Sequence, residues 1–181
     1  LRELITTKLD LEMAATEEIV KIACDIGPEL ATIVPKKRLE LTTEGGVNVI
    51  DNISLMKNTI EELHKYDIEV SLFIEPDIKQ IDAAAEIKSD YIEIHTGVFA
   101  NALSEEEQFD ELDKIRVAVK HAKKLGLGVN AGHGLDYQNI KIFRELTDID
   151  EVSIGHSIIA RAVFVGLKQA IQEMFDLIKK G

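Results

Sequence analysis

The stretch "NAGHG" (130–134) sets an imidazole between two glycines at the end of an apolar run. Glycine lets the main chain approach a ligand closely and adopt positive φ. His133 therefore stands at a segment's end with little steric cover, where an imidazole titrates near neutral pH and passes a proton. The alternative is a turn that simply needs glycine, with a solvated histidine. Carboxylates recur in similar positions. In "YIEIHTG" (91–97), Ile92 and Ile94 share one face of an extended chain, while Glu93 and His95 share the other. In "LDLEMA" (9–14), Leu9, Leu11 and Met13 oppose Asp10 and Glu12. Buried charge needs partners, so acids on an inward face are costly as packing alone. Glu12 and Glu93 are read as functional groups and His95 is left open, against the plainer possibility that each makes a structural ion pair or caps a loop. "SIGHSIIARA" (153–162) adds Gly155 and His156 just before a helical run. Main-chain N–H groups at a helix start, reached through a glycine turn, suit a phosphate.

Two further stretches are more open. "LTTEGG" (41–46) is a long polar connection in which Thr42 or Thr43 offers hydroxyls to a ligand, unless it is an ordinary surface loop. "PKKR" (35–38) is the clearest cationic cluster, either an attractor of anions or a solvated charge run. There is no HExxH spacing and no cysteine pair, so no metal is expected, although Glu93, His95 and His133 are a conceivable ligand set.

Placing these residues requires a regular scaffold. Short strand-like runs at 9–14, 30–35, 69–76, 91–97, 128–134 and 151–156 are each followed by an amphipathic helical segment. Thr16 is a good N-cap and Gly27 a good stop for the first helix. The last helix is expected to run unbroken through "SIIARAVFVGLKQAIQEMFDLIKK", and "DYQNIKIFREL" is expected to be helical. Such alternation predicts a parallel sheet with helices outside it. Its short, uniform connections suit a (β/α)8 barrel, whose active sites lie at the strands' C-terminal ends. About six units are present, and "LRELITTK" at the start reads as the tail of a helix in progress. The expectation is a single barrel domain over residues 1–181 lacking its first two units.

Bulk properties exclude several classes. The chain has 181 residues, 45% of them hydrophobic, enough for one core. Lys and Arg number 21 against 33 Asp and Glu, a net charge of −12, which argues against nucleic acid and against an anionic membrane. The apolar runs are too short to span a bilayer. The lone Cys24 fits a reducing cytoplasm and reads as a packed thiol rather than a nucleophile.

Taken together, "LEMAAT", "IVPKKRLELTTEGG", "EVSLFIEPD", "YIEIHTG", "VNAGHGLDY" and "IGHSIIARAVFVGL" resemble the pyridoxine 5'-phosphate synthase family in order and spacing, over nearly the whole chain. The resemblance implies a (β/α)8 barrel that condenses 3-amino-2-oxopropyl phosphate with 1-deoxy-D-xylulose 5-phosphate. The products are pyridoxine 5'-phosphate, inorganic phosphate and water. It implies no cofactor and a homo-oligomer. It makes Glu12 the general base, His133 the proton donor and Glu93 the carboxylate that stabilises the transition state. Thr42, Gly134, Gly155 and His156 become substrate and phosphate contacts.

The chain also departs from the family pattern. Two leading units, with an Asn-Ile-Asp-His stretch and a His-Leu-Arg-Glu-Asp-Arg-Arg-His-like stretch, carry a further catalytic histidine and substrate-binding arginines in the family, and neither stretch is present here. Lys36 stands where the family more often has an acid. The expectation is that this polypeptide alone is inactive and that the intact gene product is the enzyme. Other readings are a different phosphosugar isomerase or aldolase on the same barrel, or an inactive phosphate-binding module. A Schiff-base aldolase would want a lysine at a strand end, and none is well placed.

Overall fold

The computed structural model describes residues 2–36 and 45–179. Six strands alternate with helices. Strand β1 (Asp10–Met13) leads to α1 (Glu17–Ile26), β2 (Leu30–Ile33) to α2 (Ile53–His64), and β3 (Glu69–Ile74) to α3 (Ile78–Glu86). Strand β4 (Tyr91–His95) is followed by α4 (Gly97–Ala100) and α5 (Glu105–Lys124), β5 (Gly128–Gly132) by α6 (Ile140–Phe143), and β6 (Glu151–Ser153) by α7 (His156–Val165) and α8 (Leu167–Lys179).

All pairings are parallel and follow chain order, β1 to β6. No ladder joins β1 to β6 among the described residues, yet the sheet curls. The Lys8 ammonium, just before β1, donates to Glu151 Oε1 at the start of β6 over 2.6 Å. The same ammonium lies 5.5 Å from the Tyr91 ring of β4, so one side chain reaches across the N-terminal floor of the curled sheet. This is the arrangement of six successive units of a (β/α)8 barrel.

The register explains the two faces. Met13, Ile33, Leu72, Ile92 and Val129 fall in one row across five strands, all buried under the helices. The helices answer with apolar positions at helical spacing: Met56, Ile60 and Leu63 on α2, and Leu112, Ile115, Val119 and Ala122 on α5. Each such aliphatic side chain contributes about 1.5–3 kcal/mol on burial, so this layer sets the curl rather than the polar interior. The opposite face carries Thr32, Ser71, Glu93 and Asn130, all buried.

Local signals account for the boundaries. Thr16 accepts the Ile19 N–H at the start of α1, and Gly27 ends that helix in the left-handed region at φ 61°. Ser104 accepts the Glu107 N–H beneath three acids in the first turn of α5.

Three expectations need correction. Residues 2–4 form a turn rather than the tail of a helix, and the Arg2 guanidinium grips Glu29 through two 2.6 Å hydrogen bonds. In "DYQNIKIFREL" only Ile140–Phe143 is α-helical, because Asp136 Oδ1 accepts the N–H groups of Gln138 and Asn139 and holds the preceding residues in a side-chain-closed turn. The final helix is broken. Gly166, at φ 82° and ψ 153°, separates α7 from α8, which docks through Ala170 and Met174. α4, which the periodicity does not predict, turns the chain just past His95.

Candidate active site

Glu12, Glu93, His133, Gly134, Gly155 and His156 line one cavity of about 950 Å³ at the C-terminal ends of the strands, together with Phe73, Asn101 and Ser153. Residues far apart in sequence converge because each lies within the last three residues of a strand or just beyond it: β1 for Glu12, β4 for Glu93, β5 for His133 and Gly134, and β6 for Gly155 and His156. Thr42, like Thr43, Lys37 and Arg38, lies outside the described residues.

Glu93 is the most buried acid of the lining, 3% exposed. Ser153 Oγ donates to its Oε2 over 3.0 Å. Burial pushes its pKa up to about 7, with Glu12 and Asp10 adding repulsion and the Ser153 bond opposing the rise. Near neutrality Glu93 is thus poised between acid and base. Gly132, opposite on β5, leaves it room: a Cβ there would land on Glu93 Oε1. Asp10, one pleat deeper on β1, bonds the Thr32 hydroxyl at 2.9 and 3.0 Å, and burial raises its pKa as well.

His133 is solvent-accessible and adopts φ 74°, the left-handed region that non-glycine residues rarely visit. Its backbone is held by Thr96, a fully buried residue that sequence reasoning missed. The Thr96 N–H donates to Gly132 O at 2.9 Å, and its hydroxyl lies 2.8 Å from Gly132 O and 2.6 Å from His133 O. Strain of this kind, held in place by the residue just past a neighbouring strand, is a pattern of functional sites. Gly134, at φ 84°, completes the turn, and a side chain there would crowd the Ala100 Cβ at 2.6 Å.

Behind His133 lies His95, which the sequence places on the inward face beside Glu93, together with a partner the sequence did not reveal, Glu75. His95, 4% exposed, meets the His133 ring at a centroid distance of 5.0 Å and the Phe73 ring at 5.1 Å. Its Nδ1 is 2.8 Å from Glu75 Oε1. The only available signal was "FIEPD" ending a strand two places from an inward Phe73.

The start of α7 presents main chain to the cavity. Gly155 caps α7, no side chain satisfies the helix's first N–H groups, and Gly155, His156 and Ser157 all face the cavity. Those N–H groups have no intrahelical acceptor and carry the positive end of the helix dipole. Ser157 Oγ donates back to Leu135 O at 3.0 Å, tying the helix start to the turn after His133. The described lining holds Glu12, Glu93 and Asp136 and neither Lys nor Arg. An anion entering here is met by N–H dipoles and by His156, and protonation of Glu93 removes one opposing charge.

The family model for "Pyridoxal phosphate biosynthesis protein PdxJ" matches residues 1–180. The chain belongs to the PdxJ family. It is 54% identical over 179 residues to the pyridoxine 5'-phosphate synthase of Chlorobium phaeobacteroides, covering 99% of this chain and 76% of that protein. The synthase of Geobacter metallireducens is 52% identical, with 99% and 75% covered. Among solved structures, an O-GlcNAc hydrolase mutant from Thermobaculum terrenum superimposes with a TM-score of 0.58 at 14% identity, over 90% of this chain and 41% of that one. That likeness concerns the fold alone. Within the PdxJ family, this chain spans about three quarters of the length of the relatives it matches.

Proposed function

We propose that this chain carries the acid–base centre of a pyridoxine 5'-phosphate synthase. The reaction joins 3-amino-2-oxopropyl phosphate to 1-deoxy-D-xylulose 5-phosphate and releases inorganic phosphate and water. The observation that carries this reading is the convergence of Glu12, Glu93 and His133 with the open start of α7 in one cavity. Imine formation, dehydration and ring closure are proton transfers, and this set supplies a base, an acid and a carboxyl tuned near neutrality. Glu12 takes protons from the condensing carbon skeleton. His133, exposed and held by Thr96, returns protons to departing oxygen. Glu93, with a pKa near 7, steadies charge that develops between them.

Gly134, Gly155 and His156 hold the phosphate ends, and Thr42 contacts substrate from the β2–α2 connection. A Schiff-base aldolase is disfavoured because no lysine lines the described cavity. No described helix is long and apolar enough to cross a membrane. A cytoplasmic homo-oligomer completes the reading. Its support is the apolar surface of α7, where Val163 and Phe164 are 80% and 84% exposed.

The test is to supply both substrates to the full-length protein and to follow pyridoxine 5'-phosphate and inorganic phosphate together. Equal, enzyme-dependent amounts of both are expected. Binding of one phosphate ester without product overturns the reading in favour of an inactive binding module.

A further inference from the structure

Glu75 and His95 stand outside the cavity lining and pair directly behind it. β3 ends at Ile74, so Glu75 is the first residue beyond the strand. Its Oε1 accepts two hydrogen bonds, from His95 Nδ1 at 2.8 Å and from the Gly46 N–H at 3.0 Å. Gly46 is held against the same strand end. A Cβ on it would stand 2.5 Å from Ile74 Cα, and the Val47 N–H donates to Phe73 O at 2.6 Å. The carboxylate is therefore gripped from two directions. Burial alone would raise its pKa, but the His95 and Gly46 bonds outweigh this and hold it below the ordinary value. An ionised Glu75 can only accept, so His95 must keep its proton on Nδ1.

That assignment fixes the plane of the His95 ring. The far edge of the ring is confined by Gly97, where a Cβ would come within 2.5 Å of His95 Nε2 and 3.3 Å of His133 Cδ2. Gly97 thus leaves the space in which the two imidazoles lie against each other, tilted by 55°. Phe73 closes the third side, with its ring 5.1 Å from His95 and 6.3 Å from His133.

We propose that Glu75 and His95 are positioning residues for His133: the carboxylate orients His95, and His95 holds the His133 ring toward the cavity and passes on the carboxylate's negative field. This rests on the reading of His133 as the proton donor. Other ionisable groups also bear on His133. Glu12 comes from β1, Glu93 from β4, His156 from α7 and Asp136 from its own connection. Glu75 differs from them in acting from behind the ring, out of the substrate's space.

The experiment is a ¹⁵N and ¹H titration of the imidazoles in the full-length protein, wild type and Glu75→Gln, alongside the pH profile of turnover. Glutamine keeps an oxygen for Gly46 and removes the charge. The wild type is expected to show His95 protonated on Nδ1. In Glu75→Gln the His95 Nδ1 proton loses its ionised acceptor, and the His133 ¹⁵N and ¹H resonances should shift or broaden as its ring leaves the single orientation. kcat should drop about tenfold, with both KM values unchanged within about twofold.

If Glu75→Gln does not fold, His95→Asn, whose amide can still donate to Glu75, gives a second reading. His133 should then populate more than one ring orientation and kcat should fall similarly. A single unchanged His133 ring environment in either variant overturns the proposal. The titration does not depend on turnover. Absence of product from the wild type would sink the functional reading while leaving the coupling among Glu75, His95 and His133 measurable.

Discussion

Gly132 and the carboxyl of Glu93 share one volume. A Cβ on Gly132 would land on Glu93 Oε1 and sit 3.0 Å from the Ser153 Cβ. The glycine before His133 is therefore a notch cut for an acid on the neighbouring strand. Gly132→Ala should displace Glu93 from Ser153 and overpack the interior. We expect a loss of about 1–3 kcal/mol in urea unfolding together with a large loss of turnover. Wild-type stability in this variant would show that the carboxyl lies elsewhere.

Glu93 also links pH to stability. Its folded pKa of about 7 lies above the ordinary carboxylate value of 4.5. The folded state therefore holds this proton more tightly than the unfolded chain, and stability declines as pH rises from about 4.5 through 7. Glu93→Gln is neutral throughout and can still accept from Ser153. It should be more stable than wild type by about 3 kcal/mol at pH 8 and no more stable at pH 4, while turnover falls sharply. Paired denaturation curves at the two pH values decide the matter.

Glu12→Gln and His133→Asn should each abolish turnover in the full-length protein without disturbing the circular dichroism spectrum. Both side chains are exposed to the cavity rather than packed in the core. A near-normal rate for either variant removes that residue from the mechanism.

Thr96→Val keeps the shape of the buried side chain and deletes the hydroxyl shared by Gly132 O and His133 O. Leaving those carbonyls without it costs about 1–3 kcal/mol and lets His133 relax from φ 74°. We expect kcat to fall at least tenfold while KM changes little. Steady-state kinetics that separate the two constants provide the check.

Gly155→Val tests the phosphate end. A Cβ at Gly155 meets no atom within 4 Å, so the substitution adds bulk on the open side rather than in the core. KM for a phosphorylated substrate should rise about tenfold or more, with a stability loss of about 1 kcal/mol from the weakened helix cap. An unchanged KM would place the phosphate elsewhere.

The alternation of strands and helices, and the side of each strand that faces inward, were legible because they depend on period alone. Ile92 and Ile94 against Glu93 and His95 is a two-residue pattern, and Met56, Ile60 and Leu63 a helical one. The roles of Thr96 and Glu75 were not legible, because each depends on register between strands: Thr96 meets the end of β5 only once β4 and β5 are paired. The break at Gly166 was hidden for a related reason. A glycine inside an apolar helical pattern costs only about 1 kcal/mol, so the pattern cannot distinguish a tolerated glycine from a stop. The resemblance to the synthase family was legible from several short stretches jointly, and the family match over residues 1–180 agrees with it.

α7 contributes no buried residue, whereas α8 beyond Gly166 is pinned by Ala170, by Met174 and by the Tyr137 hydroxyl on Ala170 O at 2.8 Å. The segment proposed to cradle an anion is fastened at both ends, by Ser157 on Leu135 O at its start and through α8 beyond its finish. Replacing its outward side chains should therefore leave the backbone that faces the cavity where it is.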